Sequence, residues 1–169
     1  MTEPLTLTKL IVLYMLDKVD YPIAKAQIMD FILEKEYADY FTFTQAIGEL
    51  TEDAFIESDS THSSTFLSMT DKGRDTLTFF GNRISEGIKN DVNDFLEENR
   101  MDILNKMSVI TNYYRTGSDF VAELTAREKS EDLLFLRLNM PTEESARAVC
   151  DHWRDNASDV YSFILEKLL

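Results

Sequence analysis

The sequence predicts a mixed α+β protein in two parts, and three observations support this prediction. In the first half of the chain, apolar residues recur at helical spacing, and two short β-prone segments interrupt them. In the second half, three longer segments with strand-like patterning are framed by helical segments. The 169 residues include only 5 Gly and 3 Pro, which is typical of a packed and mostly helical protein.

The charge balance limits the classes of partner. The chain carries 17 basic and 31 acidic side chains, which gives a formal net charge of -14. Residues 1–84 and 85–169 contribute -7 each, and such charge opposes nonspecific attraction to nucleic acid or anionic lipid. A single Cys excludes an internal disulfide, and the sequence has neither an export signal nor a long apolar span. We therefore expect a cytoplasmic protein with no membrane partner.

Three helices are predicted before the first β-prone segment. The first, at about Thr6–Lys18, is apolar on most sides between Leu10 and Leu16, so it is either sandwiched or part of a subunit contact. The dipeptide Tyr21-Pro22 then predicts a short strand or turn, because the residue before proline favours extended conformations. A second helix at about 24–35 and a third at 42–53 each have one apolar face. The apolar face of the third helix consists of Phe43, Ala46, Ile47 and Leu50.

The segments that follow complete a recognisable order of elements. Residues 54–60 and 63–69 are two β-prone segments separated by a polar loop, which predicts a hairpin. Thr70 then caps a helix whose apolar face includes Leu77 and Phe80. Helix, short extended segment, two helices, hairpin and capped helix is the order of a winged-helix domain, in which the hairpin is the wing. The sequence therefore predicts an N-terminal winged helix-turn-helix.

The pattern of residues 85–169 predicts a domain with the element order α-β-β-β-α-α. We expect this domain to serve dimerisation or ligand sensing. A long amphipathic helix at about Ser85–Lys106 begins this half. Pro141 and Thr142 start a later helix, and a break near 155–157 separates it from a final helix. The extended segments between them have short connections, which predicts a three-stranded antiparallel sheet. These segments lie at 108–115, 120–127 and 133–140.

The segment SMTDKGRDTL resembles a motif of known regulators. Its Thr70, Gly73 and Leu77 match the T-x-x-G-x-x-x-L stretch that follows the wing in bacterial winged-helix regulators of the PadR and MarR types. That resemblance covers about Leu5–Phe80. Over the whole chain, including LTLTKLIVLYMLDKVDYPI, FFGNRIS and PTEESARAVCDHW, the sequence is similar to the bacterial family called domain of unknown function 4364. The resemblance implies a winged-helix fold and a regulatory role, and it supplies no ligand, target site or catalytic residue.

The resemblance implies candidate DNA contacts on the third helix. If this helix entered the major groove, Gln45 would be the best base reader, because a side-chain amide pairs in two ways with adenine. The alternative is that the polar side chains of this helix are ordinary solvent-exposed residues. The candidate base-side residues are Thr42, Thr44, Gln45 and Gly48. The candidate phosphate contacts are Lys9, Lys25, Lys72, Arg74 and, in the wing, His62.

Local charge divides two functional hypotheses. Between Ile23 and Thr70 there are two basic and nine acidic side chains, whereas DNA binding requires several phosphate contacts. The first hypothesis is a winged-helix DNA-binding transcriptional regulator that forms a homodimer. The second is a winged-helix protein-protein interaction module with an acidic docking surface and no DNA binding. The first requires a local positive patch around the third helix, and the second requires negative potential there.

We expect no enzyme activity, cofactor or metal site. The sequence lacks H-x-x-x-H, C-x-x-C and G-x-S-x-G patterns and a Gly-rich phosphate loop. Cys150 lies beside Trp153 on an apolar helix face, which favours a buried, inert thiol. Aromatic and basic side chains of the second half could line an effector pocket, and ordinary core packing is the alternative. The candidate pocket residues are Tyr113, Tyr114, Phe135, Arg137 and Trp153.

Overall fold

The computed structural model of the protein describes residues 3–128 and 131–169, and for residues 105–107 it describes the backbone alone. The described residues form helices and two three-stranded antiparallel sheets, which confirms the mixed α+β class. A single 3-10 turn at Gly81–Arg83 follows the fourth helix. The elements are α1 (Glu3–Asp17), β1 (Ile23–Ala24), α2 (Lys25–Glu34), α3 (Tyr40–Glu52), β2 (Ile56–Ser60), β3 (Thr65–Met69), α4 (Asp71–Phe80), α5 (Glu86–Glu98), α6 (Arg100–Ser108), β4 (Val109–Thr116), β5 (Asp119–Glu128), β6 (Glu131–Met140) and α7 (Glu143–Leu168).

The chain divides into two compact units. The division falls after Ile103, whereas the sequence places a domain boundary after residue 84. The difference arises because Val92, Leu96 and Ile103 are buried in the core of the first unit, so α5 belongs with the helices before it. The first unit consists of Met1–Ser60 and Ser64–Ile103, and the second of Thr61–Ser63 and Leu104–Leu169.

Helix α1 is surrounded by other elements of the first unit. It contacts α2, α3, α4, α5 and β3, and every side chain from Leu10 to Leu16 is buried. Of the two alternatives for this segment, the sandwiched helix is therefore the one observed. Burial stabilises each large aliphatic side chain by about 1.5–3 kcal/mol relative to exposure. The segment is consequently not available to a second subunit while this unit is folded.

The first sheet has the strand order β1-β3-β2. The predicted hairpin is formed by β2 and β3, and the interruption at Tyr21-Pro22 leads directly into β1. Ile23 pairs with Leu67, and Ile56 pairs with Met69. Because Ile23, Ile56 and Leu67 are buried with the helices, sheet and helices share one core.

The T-x-x-G-x-x-x-L motif packs α4 against the turn between α3 and β2. The Thr70 hydroxyl accepts a hydrogen bond from the Gly73 N–H (3.1 Å) and donates one to the carbonyl of Ala54 (2.7 Å). A Cβ atom at Gly73 would lie 2.1 Å from the carbonyl oxygen of Phe55, so only glycine fits there. Leu77 is buried in the core. All three motif residues thus act on packing within the first unit.

The second unit contains the sheet β4-β5-β6, whose strands are all antiparallel, as predicted. Helix α7 packs on one face of this sheet. Trp153 is buried there with Ala122 and Leu124 of β5, and its indole N–H donates to the carbonyl of Thr125 (3.0 Å). Because side chains alternate along a strand, the neighbours of Ala122 and Leu124 belong to the opposite face.

The prediction of one long helix at about Ser85–Lys106 is wrong. This segment forms α5 and α6, which Asn99 separates. The side-chain amide of Asn99 donates to the carbonyl of Phe95 (2.9 Å), and its backbone N–H donates to the same atom. The backbone of Asn99, at φ -104° and ψ 10°, departs from helical geometry.

The prediction of two final helices is also wrong, because α7 continues through residues 155–157 to Leu168. Ala157 is buried and extends the apolar stripe of the helix past the polar residues. The side-chain amide of Asn156 donates to the carbonyl of His152 (2.8 Å), and the helix continues past this bond. Residues 85–169 therefore have the order α-α-β-β-β-α. In the described part of the chain, none of the helices combines the length and apolar character that crossing a membrane requires.

Candidate functional site

The outer face of α3 is the surface on which both functional hypotheses depend. Thr44, Gln45 and Gly48 are exposed there, and Thr42 is half-buried. The space around Gly48 is open, with no atom within 4 Å of the position a Cβ would occupy. The structure thus places the four candidate base-side residues on one helix. The inner face is buried as predicted, through Phe43, Ala46, Ile47 and Leu50.

The N-terminus of α3 is occupied by a carboxylate of the protein itself. The Asp39 side chain accepts a hydrogen bond from the backbone N–H of Thr42 (2.7 Å), and this bond lowers the pKa of Asp39. A helix N-terminus attracts anions because its first N–H groups lack partners within the helix. A DNA phosphate at this position would have to displace the Asp39 carboxylate.

The best candidate base reader is bonded within its own helix. The Gln45 side-chain amide donates to the Glu49 carboxylate (2.9 Å). The same carboxylate forms an ion pair with Lys9, whose side chain is only 12% exposed. The bonds from Lys9 and Gln45 lower the pKa of Glu49, with Lys9 as the larger cause. Lys9 is therefore largely withdrawn from solvent and neutralised.

The remaining candidate cations are also positioned by the protein. The Lys72 ammonium donates to the carbonyl of Asp53 (2.7 Å) and lies 4.6 Å from the centre of the Phe55 ring. Arg74 pairs with Asp17 (3.0 Å). Lys25 is half-buried as the first residue of α2. Lys9, Lys72 and Arg74 therefore each make a contact within the first unit.

The loop of the hairpin belongs to the second unit and presents a histidine in its neutral form. The backbone N–H of His62 donates to the side-chain oxygen of Asn112 (3.0 Å), and the imidazole lies 4.4 Å from the ring of Tyr113. Burial against these neighbours lowers the pKa of His62, with the charge of Arg147 acting in the same direction and that of Asp151 opposing it. A histidine with a lowered pKa is uncharged at pH 7 and attracts phosphate weakly.

Four acids at the end of α3 and on the following strand are exposed. Glu52, Asp53, Glu57 and Asp59 are all exposed, and the last two lie on β2 of the hairpin. Because Lys9 is paired with Glu49 and Lys72 is bonded to a carbonyl, these exposed carboxylates favour a negative local potential. This arrangement is unfavourable for a polyanion and favourable for a positively charged partner.

Two exposed aromatic side chains at the start of α3 were not predicted from the sequence as candidate site residues. Tyr40 is 55% exposed and Phe41 is 80% exposed, and their ring centres lie 5.7 Å apart in an edge-to-face arrangement. Both residues lie outside the apolar face of α3, and this position in the sequence could have predicted their exposure. Large exposed aromatic residues often anchor protein-protein contacts.

The candidate pocket residues of the second unit lie on two faces of its sheet. Tyr113 pairs with Ala122, which packs against α7 with Trp153. Tyr114 belongs to the other face, where its hydroxyl bonds to Glu123 (2.9 Å) and Arg137 lies over its ring at 6.0 Å. Phe135 is exposed on that second face. The sheet therefore separates the five residues, and Trp153 serves the core.

A small cleft exists in the first unit, in a place the sequence does not indicate. Its volume is about 230 Å³, and residues of α1, α4 and α5 line it. The Arg74–Asp17 ion pair and Lys89 give it mixed charge. The cleft is smaller than typical sites for organic ligands, which occupy about 300–1,000 Å³.

Two observations on the described residues concern metal ligands and the cysteine thiol. Among them, no group of three or more His, Cys, Asp or Glu side chains is arranged to hold a metal ion. Cys150 is buried, and burial raises the pKa of its thiol. A thiol with a raised pKa is a poor nucleophile at pH 7.

Comparison with known proteins identifies a family. Residues 8–168 match the model of Domain of unknown function (DUF4364). Because the match covers most of the chain, the protein belongs to this family. No match was found among curated proteins or among solved structures.

Proposed function

We propose that this member of the DUF4364 family is a winged-helix interaction module that binds a positively charged protein segment through the outer face of α3. The observation that carries the proposal is the local charge of this face. Lys9, Lys72 and Arg74 are engaged by neighbouring acids and a carbonyl, while Glu52, Asp53, Glu57 and Asp59 are exposed.

The aromatic pair gives this face an anchoring element. Tyr40 and Phe41 project at the N-terminal end of α3, beside the capping carboxylate of Asp39. An exposed ring next to carboxylates suits an Arg or Lys side chain, which stacks on the ring and pairs with the acid. A partner segment that combines basic and apolar residues would satisfy both features.

The second candidate is a winged-helix DNA-binding transcriptional regulator. The observation in its favour is the order of elements, in which a third helix with exposed Thr44, Gln45 and Gly48 precedes a hairpin. Binding would require Gln45 to leave Glu49 and a phosphate to replace Asp39 at the helix start. Both rearrangements cost interactions that the folded protein already makes.

Fluorescence anisotropy at low salt separates the two candidates. The full chain is titrated with a labelled Lys- and Arg-rich amphipathic peptide, an acidic peptide of equal length and duplex DNA. We expect binding of the basic peptide alone. Phe41→Ser and Glu52→Lys should each weaken that binding by about tenfold, which is the size of a moderate interface contact.

The matched control is Glu86→Lys, which makes the same charge change on α5, outside the proposed surface. Glu86 is largely exposed and pairs with Lys89 (3.6 Å), so this variant should bind the peptide like the unaltered protein. If Glu52→Lys and Glu86→Lys weakened peptide binding equally, the weakening would reflect the net charge of the protein. That result would overturn the proposal. Binding of DNA that Gln45→Ala abolishes, without peptide binding, would support the second candidate instead.

A further inference from the structure

Strand β6 has the features of a strand that pairs with another strand. It lies at an edge of the second sheet, where β5 is its neighbour within residues 3–128 and 131–169. It spans ten residues, Glu131–Met140, with the sequence EDLLFLRLNM. Leu133 is exposed, and Phe135 is 52% exposed. A long, apolar edge strand presents unpaired backbone groups and is a template for pairing with a further chain.

Side chains of α7 bond to carbonyls of β4, the strand at the opposite edge of the same sheet. The Cys150 thiol donates to the carbonyl of Asn112, and the Arg154 guanidinium donates to the carbonyl of Val109, both at 3.5 Å. Asn112 and Val109 belong to β4. Helix α7 thus engages backbone acceptors of β4, and β6 is the edge that we consider for extension of the sheet.

A bulge determines which side chains of β6 share a face. Ala126 pairs with Leu134 and Arg127 with Asp132, so Leu133 is the extra residue. The ion pair between Arg127 and Asp132 (2.5 Å) places Asp132 on the face of Arg127, opposite α7. Phe135 and Arg137 lie on this same face because they pair with Thr125 and Glu123 of β5.

We propose that two copies of this chain associate through β6, in antiparallel register about a twofold axis at Phe135. The two three-stranded sheets then form one six-stranded sheet. The rings of Phe135 meet at the axis, and Leu136 of each copy faces Leu134 of the other on the side that α7 covers. Aromatic and aliphatic pairs of this kind stabilise neighbouring antiparallel strands.

The charges of β6 identify a second copy as the partner. The strand begins with Glu131 and Asp132 and carries Arg137 near its other end. Because Leu133 is the extra residue of the bulge, antiparallel pairing brings Arg137 of each copy beside Asp132 of the second copy, and the twofold axis creates this pair twice. Parallel pairing would place like charges together. The inference uses no residue of α3, so it and the proposed function can fail separately.

Charge-swap variants of the full chain test the pairing, with sedimentation velocity as the measurement. The unaltered protein should form a dimer. Asp132→Arg and Arg137→Asp should each weaken dimerisation by at least about tenfold, because like charges then face each other twice. An equimolar mixture of these two variants should form heterodimers, since each opposing pair is again Asp with Arg. The double variant should regain the homodimer for the same reason.

The rescue also separates the contact between copies from the pair that Asp132 makes with Arg127, because mixing cannot restore a bond within one chain. Arg115→Asp on β4 is the matched control; Arg115 is exposed and bonds to the carbonyl of Gly117 (3.1 Å). This variant should remain dimeric. A monomeric unaltered protein, a mixture without heterodimers, or a dimer that resists both single changes and dissociates with Phe163→Asp on α7 would overturn the inference.

Discussion

The two units differ in the size of their buried cores. The first has an extensive core that includes large, fully buried residues such as Phe31, Phe43 and Met15. The buried cluster of the second unit consists mainly of small side chains around Trp153. Both units expose some large apolar side chains, in the first at the ends of α3 and α4 and in the second on β6 and along the last turns of α7. We infer that the first unit is stable by itself and that the second gains stability through association.

We expect the greatest change in stability when the core of the second unit is altered. Trp153→Ala should destabilise this unit by about 3–5 kcal/mol, because it removes the largest buried side chain and leaves the carbonyl of Thr125 without its indole donor. Hydrogen exchange measured by mass spectrometry should show lost protection in β4, β5 and β6, with protection retained in α1 and α3. Trp153→Phe keeps most of the buried volume and should have the smaller effect. Equal loss of protection in both units would contradict independent cores.

In the first unit, we expect a change in stability at Gly73, where α4 packs closely against the carbonyl of Phe55. Gly73→Ala should lower the free energy of unfolding by about 2 kcal/mol, because the added Cβ meets the Phe55 carbonyl and the Leu13 side chain. The intrinsic helix preference for Ala over Gly, about 1 kcal/mol, acts in the opposite direction and is the smaller contribution. The control is Gly48→Ala on α3, where the space is open, and it should stabilise slightly. Urea denaturation of both variants measures the difference, and equal midpoints would refute the packing argument.

A smaller change in the free energy of unfolding is expected only at high pH. One tyrosine from each unit serves to test it. Burial and the hydrogen bond to Asp91 raise the pKa of Tyr37 from 10.0 to about 12. The neutral phenol therefore contributes stability that is complete below pH 10 and is lost as the pH rises toward 12. Tyr37→Phe should remove this part of the pH dependence of the unfolding free energy. Tyr114→Phe, whose hydroxyl bonds to Glu123 on the second sheet, should change it less. Parallel curves for the unaltered protein and Tyr37→Phe between pH 9 and 12 would exclude this contribution.

Sequence reasoning identified most elements because their signals are local. The apolar spacing of Phe43, Ala46, Ile47 and Leu50 indicated α3, and all four are buried. Alternation along FVAELTAR indicated β5, and Thr70 indicated the start of α4. Helix ends were less predictable. Helix α5 ends before Asn99, whereas α7 continues through a polar segment in which Ala157 is buried.

The candidate site was less predictable than the elements that hold it. Sequence alone determined that the region around α3 is acidic, because charges can be counted without coordinates. The contacts of Lys9 and Gln45 with Glu49 are visible in the folded structure alone. The same holds for the positions of Tyr113 and Tyr114 on opposite faces of a sheet.

The physical reason is the range of the interactions. Helical and strand periodicity depends on residues a few positions apart, so the chain itself determined the mixed α+β class and the acidic character. Ion pairs such as Lys9 with Glu49, and the edge position of β6, depend on residues far apart in the chain. These features exist only after the fold has brought such residues together.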